Sequence, residues 1–265
     1  MSASKHTAGK AGTGLHIAGD GPTGVLVLAG SSGRVEEERC RVLAGIGATA
    51  ASYRWFGETI DRVPLESFEE PLSMLHARCE RLVVLGTSKG GEAALLLGSL
   101  HPEIDAVVAV SAPHVVWAGL SRERPQRSSW TRGGEPLSFV PYDDGWEPDT
   151  DPVEFVGMYE QSLETYADRV PAARIPVERI AGEVLLIAGG DDRLWPSCDF
   201  AERIVDRRSA AGLRTELVSH PRAGHRVVLP GEARPAASHL VHGGTTEADA
   251  ALGTLVWPHL EELLG

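Results

Sequence analysis

The sequence predicts an α/β fold with a mostly parallel central sheet flanked by helices. Short apolar runs rich in Val, Leu, Ile or Ala alternate with longer amphipathic stretches, which is the pattern of βαβ units. Continuous apolar runs of this kind are typical of strands that are buried on both faces. A chain of 265 residues with 42% hydrophobic and 23% charged residues also has the size and composition of a globular protein with a full core.

The elements follow one another in a regular order. The predicted strands are Val25–Ala29, Leu82–Leu85, Ala106–Val110, Val184–Ala188 and Thr215–Val218. The predicted helices are Glu36–Leu43, Leu65–Arg78, Lys89–Leu100, Phe200–Arg208 and a final helix that opens with the cap-like pair Thr246 and Asp249. Lys89–Leu100 is apolar on most faces, as expected for a central buried helix. We expect Pro258 to kink or split the final helix.

Residues 115–180 interrupt this alternation. They contain Pro-, Gly- and Trp-rich segments and a helical stretch around Phe155–Tyr166, and they are too long for a simple loop. We interpret them as a lid inserted between two core strands. The predicted organisation is a disordered tail at residues 1–14, followed by a single domain at 15–265 that carries the lid.

Charge and apolar length limit the possible partners. With 25 Lys and Arg against 37 Asp and Glu, the net charge is −12, which argues against general nucleic-acid binding. Runs such as Val25–Ala29 are far shorter than the ~20 residues that span a bilayer, so no membrane partner is expected. Residues Met1–Gly14 lack the apolar stretch of a signal peptide, which favours a cytoplasmic location.

The cysteines and the other potential ligands do not form a recognisable metal motif. Cys40, Cys79 and Cys198 are widely separated and odd in number, so neither a disulfide framework nor a metal spacing follows from them. We therefore predict no metal and no cofactor. The oligomeric state stays open.

The segment Gly86-Thr87-Ser88-Lys89-Gly90 matches the pattern G-x-S-x-G between a predicted strand and a predicted helix. A nucleophilic serine on such a turn takes a strained conformation, and small residues two before and two after it avoid a clash. The helix that follows directs its N-terminus, with its partial positive charge, at the position where an oxyanion would form. Ser88 is therefore the candidate nucleophile.

An orienting acid should follow the serine in this arrangement. The strand Val184–Ala188 leads into Gly189-Gly190-Asp191-Asp192-Arg193-Leu194-Trp195-Pro196, so two aspartates compete for the role. We favour Asp192 and expect Asp191 to cap the turn or face solvent.

The base should come last in the chain, on a loop beyond the final strand. His225 follows Gly224 and fits this position better than His220, which lies almost on the strand. His114 and His242 remain minor alternatives.

Two backbone N–H groups are candidates for an oxyanion hole. One belongs to Lys89, directly after the nucleophile, and the other to Ser31 in the glycine-rich loop Ala29-Gly30-Ser31-Ser32-Gly33 after the first core strand.

The arrangement resembles the α/β-hydrolase fold, with similarity to dienelactone hydrolases. More narrowly, it resembles the C-terminal catalytic domain of the acyl-CoA thioesterase / bile acid-CoA:amino acid N-acyltransferase family. The narrower resemblance rests on four segments: Gly86-Thr87-Ser88-Lys89-Gly90-Gly91-Glu92, Trp55-Phe56-Gly57, Ile175-Pro176-Val177-Glu178-Arg179-Ile180 and Asp191-Asp192-Arg193-Leu194-Trp195-Pro196-Ser197. It implies that Ser88, Asp192 and His225 are nucleophile, orienting acid and base.

The resemblance implies a serine hydrolase acting on a small-molecule acyl thioester, either acyl-CoA or a carrier-bound acyl group. If coenzyme A binds, its phosphates need cations, and the lid supplies Arg122, Arg124, Arg127 and Arg132 as candidates. A carboxylesterase or peptidase-like hydrolase, and acyl transfer to an amine, are the alternative activities. The alternative outside enzymes is a ligand-binding protein on a hydrolase fold.

Overall fold

The computed structural model describes residues 14–122, 124–235 and 238–265. The predicted tail therefore lies outside the described residues except for Gly14. The strands are β1 (His16–Ala18), β2 (Thr23–Leu28), β3 (Ala48–Ser52), β4 (Val63–Pro64), β5 (Arg81–Thr87), β6 (Ala106–Val110), β7 (Trp130–Arg132), β8 (Glu135–Pro136), β9 (Glu183–Gly189) and β10 (Glu216–His220). The α-helices are α1 (Glu37–Ala44), α2 (Glu69–His76), α3 (Lys89–Leu100), α4 (Val156–Thr165), α5 (Val170–Ala173), α6 (Ser197–Ala210) and α7 (Thr246–Leu264).

A seven-stranded sheet in the order β1-β3-β2-β5-β6-β9-β10 forms the centre of the molecule. β1 pairs antiparallel with β3, and the other neighbouring strands of this sheet pair in parallel. The predicted α/β class with a mostly parallel sheet is confirmed. All five predicted strands are present, whereas the sequence analysis missed the edge strand β1 and the Ala-rich β3.

The helices cover both faces of this sheet because consecutive side chains of a strand point to opposite faces. Leu26 and Leu28 of β2 belong to one core cluster, which also contains side chains of α2, α3 and α6. Val25 and Val27 belong to a second cluster with side chains of α1 and α7. Two full layers of helix therefore bury the sheet, which explains why its strands read as continuous apolar runs.

Two helix predictions need correction. Leu65–Arg78 begins as a 3-10 turn at Leu65–Phe68, and α2 then ends at His76. The cap of α7 is Thr245 rather than Thr246, since its side chain accepts a hydrogen bond from the Ala248 N–H at 3.1 Å.

α7 also continues past Pro258 to Leu264, so the predicted split is absent from this helix. Pro258 is exposed, while Val256 and Leu260 on either side of it are completely buried against the sheet. This packing holds the helix together across the missing backbone donor.

Residues 115–180 connect β6 to β9 and contain β7, β8, α4 and α5. β7 and β8 form a small three-stranded sheet with β4, and α4 occupies the predicted helical stretch. A third core cluster joins Trp117 and Tyr159 of this insertion to Trp195 and Phe200 at the start of α6. The insertion is therefore packed on the core beside the end of β9, and its role as a lid stays a prediction.

Candidate active site

Ser88 lies at the sharp turn between β5 and α3. Its φ of 58° and ψ of −119° place it in a region that non-glycine residues rarely adopt, and its N–H donates to the Val110 carbonyl at 2.8 Å. A Cβ on Gly86 would lie 2.0 Å from the Gly90 carbonyl oxygen, and a Cβ on Gly90 would lie 2.4 Å from the Leu28 carbonyl oxygen. The two glycines of the motif are therefore a steric requirement of this turn.

Asp192 and His225 meet beyond the carboxyl ends of β9 and β10. The His225 imidazole donates from Nδ1 to Asp192 Oδ2 at 2.7 Å, and both residues are buried. The His225 N–H donates to the His242 carbonyl at 2.8 Å, and the Trp195 ring packs edge-on against the imidazole at 5.5 Å between centroids. The backbone bond holds the loop, while Asp192 and Trp195 hold the ring and leave its other nitrogen, Nε2, available for chemistry.

Backbone and side-chain donors hold the Asp192 carboxylate in place. Its Oδ1 accepts from the Leu194 N–H at 2.8 Å and from the Trp195 N–H at 3.2 Å. Its Oδ2 accepts from the Ser197 hydroxyl in addition to His225. Ser197 is completely buried at the first position of α6, and the sequence analysis assigned it no role.

The competing acid and the other histidines take different positions. Asp191 is half-exposed, pairs with Arg193 at 2.6 Å and accepts from the Gly244 N–H at 3.0 Å. His220 Nδ1 accepts from the backbone N–H of Arg222 at 3.3 Å. The geometry therefore joins Asp192, rather than Asp191, to His225.

The two minor histidine candidates are both buried enough to be neutral at neutral pH. His114 packs against Phe200 at 5.0 Å between ring centroids, and burial lowers its pKa to about 3. His242 lies 6.0 Å from His225 between ring centroids. Burial, and then the charges of Arg226 and His225, lower the pKa of His242 to about 4.

The glycine-rich loop after β2 lies directly against the nucleophile. A Cβ added to Gly30 would be 3.0 Å from Ser88 Cβ and 3.6 Å from Ser88 Oγ. The next residue, Ser31, lines the same cavities as Ser88. The structure thus brings Ser31 close to Ser88 and Lys89, and the role of the Ser31 and Lys89 N–H groups as an oxyanion hole stays a prediction.

The side chains of Lys89 and Glu92 form a buried network behind the nucleophile. Lys89 Nζ donates to Glu92 Oε2 at 2.9 Å and to Ser129 Oγ at 2.7 Å. Glu92 Oε1 accepts from Trp130 Nε1 at 2.8 Å and from the Trp117 N–H at 3.1 Å. Lys89 and Glu92 of the Ser-Lys-Gly-Gly-Glu segment therefore anchor the insertion to α3. The sequence alone does not reveal this role, because their partners are distant in the chain.

Two cavities meet at Ser88. A cavity of about 320 Å³, here called the apolar cavity, is lined mainly by aromatic and aliphatic side chains of the insertion and of the loop after β9. A cavity of about 480 Å³, here called the polar cavity, is lined by charged residues of α1, of the loop before it and of the segment after His225, together with small and apolar side chains. Ser31, Ser88 and His225 line both cavities.

The four arginines predicted to bind substrate are dispersed. Arg124 lines the apolar cavity and pairs with Asp144 at 2.6 Å. Arg127 pairs with Asp61. Arg122 is exposed, as is Arg132 at the end of β7, and neither lines the apolar or the polar cavity.

The described residues contain no group of three or more His, Cys, Asp or Glu side chains arranged to hold a metal ion. Across the same residues, no helix is both long and apolar enough to cross a membrane. The predicted cytoplasmic location stays a prediction.

A family model described as "BAAT / Acyl-CoA thioester hydrolase C terminal" matches residues 63–264. The chain belongs to this family. The match covers α3, β9, β10 and α7, and thus the elements that carry Ser88, Asp192 and His225. The resemblance inferred from the sequence motifs is confirmed at the level of the family.

Named relatives include both thioesterases and acyltransferases. The chain is 26% identical to acyl-coenzyme A thioesterase 1 of Mus musculus over 78% of its own length and 49% of the relative. It is also 26% identical to mitochondrial acyl-coenzyme A thioesterase 2 of Mus musculus, over 90% of the chain and 54% of the relative. It is likewise 26% identical to acyl-coenzyme A amino acid N-acyltransferase 2 of Rattus norvegicus, over 80% of the chain and 51% of the relative. The chain thus spans about half the length of these relatives.

Solved structures with the same fold include the esterase domain of a Rhodothermus marinus protein, with a TM-score of 0.52, 17% identity and coverage of 95% of this chain and 92% of that one. A dienelactone hydrolase-like promiscuous phosphotriesterase from metagenomic libraries matches with a TM-score of 0.52, 17% identity and coverage of 93% and 87%. At these identities the likeness establishes the α/β-hydrolase fold.

Proposed function

We propose that the protein is a serine hydrolase that cleaves acyl thioesters, with Ser88, His225 and Asp192 as its catalytic triad. The observation that carries the proposal is the hydrogen bond of 2.7 Å between His225 and Asp192 beside two cavities that Ser88 and His225 both line. Membership of a family whose description names acyl-CoA thioester hydrolases supports the thioester as substrate.

Acylation begins with attack of Ser88 Oγ on the thioester carbonyl carbon. His225 Nε2 accepts the hydroxyl proton, and the hydrogen bond to Asp192 keeps the other ring proton on Nδ1. The tetrahedral oxyanion accepts hydrogen bonds from the backbone N–H groups of Ser31 and Lys89. When the carbon–sulfur bond breaks, His225 returns the proton to the leaving thiolate, and the acyl group remains on Ser88.

Deacylation uses the same groups with water as the nucleophile. His225 removes a proton from the water molecule, whose oxygen attacks the acyl-serine carbonyl. The second tetrahedral intermediate collapses to the free acid and returns the proton to Ser88. Throughout both steps, residues 115–180 act as a lid that walls the apolar cavity and limits access of water to the acyl group.

The activity is tested by comparing matched substrates. We expect kcat/KM for an acyl-CoA thioester to exceed that for an oxygen ester of the same acyl group by at least about tenfold, a difference of ~1.4 kcal/mol in transition-state binding. The reverse preference would assign the protein to the carboxylesterases.

Acyl transfer is a second candidate function, because one of the relatives is named as an amino acid N-acyltransferase. With glycine present at millimolar concentration, a hydrolase releases free acid, whereas a transferase forms the acylglycine. Mass spectrometry of the products distinguishes the two. Ser88 lies on a sharp strand-to-helix turn of the kind that carries the nucleophile in serine hydrolases. We therefore expect the free acid.

A further inference from the structure

The polar and the apolar cavity meet at Ser88 and differ in the chemistry of their walls. Ser88 and nearby residues such as Ser31 and His225 line both cavities. The side chains that line only the apolar cavity include Leu120, Phe155, Met158 and Trp195. A thioester bound to Ser88 has two substituents on its carbonyl carbon, and these must extend in different directions. The two cavities provide a separate space for each of them.

The polar cavity is lined by a mixture of cations and anions. Its arginines are Arg34, Arg39, Arg41, Arg226 and Arg234, and its carboxylates are Glu36, Glu37, Glu38 and Glu232. Arg39 pairs with Glu232 at 2.6 Å and also donates to Thr87 Oγ1 at 3.2 Å, so this pair belongs to the wall behind the nucleophile. Glu36 pairs with Arg34 at 2.8 Å.

Two of these arginines, Arg34 and Arg226, lie close enough in the polar cavity for the charge of one to act on the other, and Asp249 is a carboxylate that opposes this effect on Arg226. Arg226 follows His225 directly in the chain, and Arg34 comes directly after the glycine-rich loop. Burial, and then the charge of Arg34, lower the pKa of the Arg226 guanidinium. Arg226 in turn contributes to the lowered pKa of His242 in the same wall. An anionic ligand in this space would reduce the mutual repulsion of these groups.

We infer that the polar cavity binds the leaving-group half of the substrate, an anionic, amide-containing thiol of the coenzyme A type, and that the apolar cavity binds the acyl chain. The inference rests on the proposed function. Moving phosphate and amide groups out of water costs less free energy when the surrounding walls are charged than when they are aromatic. Alkyl groups have the opposite preference.

This assignment differs from the one predicted from the sequence. The arginines of the insertion were expected to contact the phosphates, but Arg124 lines the apolar cavity and Arg127 pairs with Asp61 away from both spaces. Arg34 and Arg226 come from segments far apart in the chain. β2 and β10 run in the same direction in the parallel part of the sheet, so the loop after β2 and the segment after β10 leave the sheet at the same end of the strands.

The test uses two thioesters of one acyl group, the coenzyme A thioester and the uncharged N-acetylcysteamine thioester. The variants are Arg34→Gln, Arg226→Gln and the double variant, with Arg214→Gln as the matched control, an exposed arginine outside both cavities. We expect the ratio of kcat/KM for the coenzyme A thioester over the N-acetylcysteamine thioester to fall at least about tenfold in the double variant. The ratio in the control should stay within about twofold of the wild type.

A variant of the apolar cavity tests the other half of the assignment. Met158→Trp fills space in the apolar cavity and should shift the substrate preference toward shorter acyl chains. The ratio of kcat/KM for the coenzyme A thioester over the N-acetylcysteamine thioester should not change. If the variants still cleave thioesters but the ratio is unchanged in the double arginine variant, or is lowered equally by Arg214→Gln, the cavity assignment alone is overturned. Failure of the wild type to cleave either thioester, with turnover of oxygen esters, overturns the proposed function instead.

Discussion

At the scale of single residues, the position of the His225 ring depends on how the Asp192 carboxylate is held. Two backbone N–H groups fix Oδ1, and the Ser197 hydroxyl shares Oδ2 with the imidazole. Every oxygen of the carboxylate therefore has a donor, and its plane is set before substrate arrives. Removing one donor should let the carboxylate rotate and weaken its hold on the ring.

We expect Ser197→Ala to lower kcat about tenfold with little change in KM. A hydrogen bond to a charged group contributes about 1.5–3 kcal/mol, and part of this energy holds Asp192 in the orientation that positions His225. Steady-state kinetics measure the effect. Ser99→Ala is the matched control, since the Ser99 hydroxyl donates to the Leu96 carbonyl within α3. A kcat within twofold of the wild type for Ser197→Ala would show that Ser197 has no positioning role.

Gly30→Ala tests the oxyanion loop. The new Cβ would meet Ser88 Cβ at 3.0 Å and the Thr87 carbonyl at 3.1 Å, so the loop must shift away from the nucleophile. Because loss of one oxyanion donor costs roughly 10²–10³ in kcat, we expect a displaced donor to cost about 10–100-fold. Gly57→Ala is the control, since nothing lies within 4 Å of its added Cβ. Full activity of Gly30→Ala would separate Ser31 from the oxyanion site.

The candidate catalytic residues could be proposed from the sequence because local chemistry narrows the choice at each position. The G-x-S-x-G spacing follows from two steric contacts, and a histidine preceded by glycine on the loop after the last sheet strand has few alternatives. The choice of Asp192 over Asp191 agrees with the hydrogen bond to His225, and the triad itself stays a prediction. The role of Ser197, in contrast, follows only from the hydrogen bond that its hydroxyl donates to Asp192, and no sequence pattern predicts that contact.

At the scale of elements, the first turn of α3 is joined to the insertion by ionic and hydrogen-bonding contacts. The side chains of Lys89 and Glu92 are 2% and 0% exposed, and their partners Ser129 and Trp130 belong to the insertion. Burial lowers the pKa of Lys89, and the nearby Glu92 carboxylate opposes this shift. A buried pair of this kind is costly to break because the remaining charge has no counterion.

Lys89→Met should lower the free energy of unfolding by about 3–5 kcal/mol, since it leaves Glu92 buried and charged. The double variant Lys89→Met/Glu92→Gln should recover part of this loss, because the carboxylate charge is gone while the amide still accepts from Trp130. Urea unfolding measures both values. Arg203→Met breaks an exposed i,i+4 pair with Asp199 and should change the same free energy by no more than ~0.5 kcal/mol. Equal destabilisation by Lys89→Met and Arg203→Met would contradict this account.

The elements themselves were predicted unevenly, for physical reasons. The central strands are short continuous apolar runs bounded by turn residues, and α3 is a longer apolar stretch, so length and flanking residues identify them although they show little periodicity. β1 is three residues long and β3 reads ATAAS, a composition without β-branched bulk except for one threonine. β4, β7 and β8 are two or three residues each and exist through pairing between distant segments.

At the scale of the whole molecule, burial of His114 links stability to pH. The folded protein holds this imidazole with a pKa of about 3, against 6.5 for the exposed group. Between these values the unfolded chain binds the proton and the folded chain does not, so unfolding becomes more favourable as the pH falls. The contribution to stability is complete above pH 6.5 and is lost progressively below it.

We expect His114→Phe, which keeps a ring against Phe200, to remove about 2 kcal/mol of the stability lost between pH 7 and pH 5. Urea unfolding of wild type and variant across this range measures the difference in slope. Parallel pH profiles for the two proteins would mean that His114 is not the group responsible.

The central claim is that Ser88 is an activated nucleophile held with His225 at this site. Reaction with a fluorophosphonate probe tests it most directly, in wild type, Ser88→Ala and His225→Ala, with Ser111→Ala as a control for a buried serine that donates to the His225 carbonyl. We predict stoichiometric labelling of the wild type at Ser88, labelling of the Ser111→Ala control, none in Ser88→Ala and labelling at least about 100-fold slower in His225→Ala. Labelling that persists in Ser88→Ala, or no labelling of the wild type, would contradict the account.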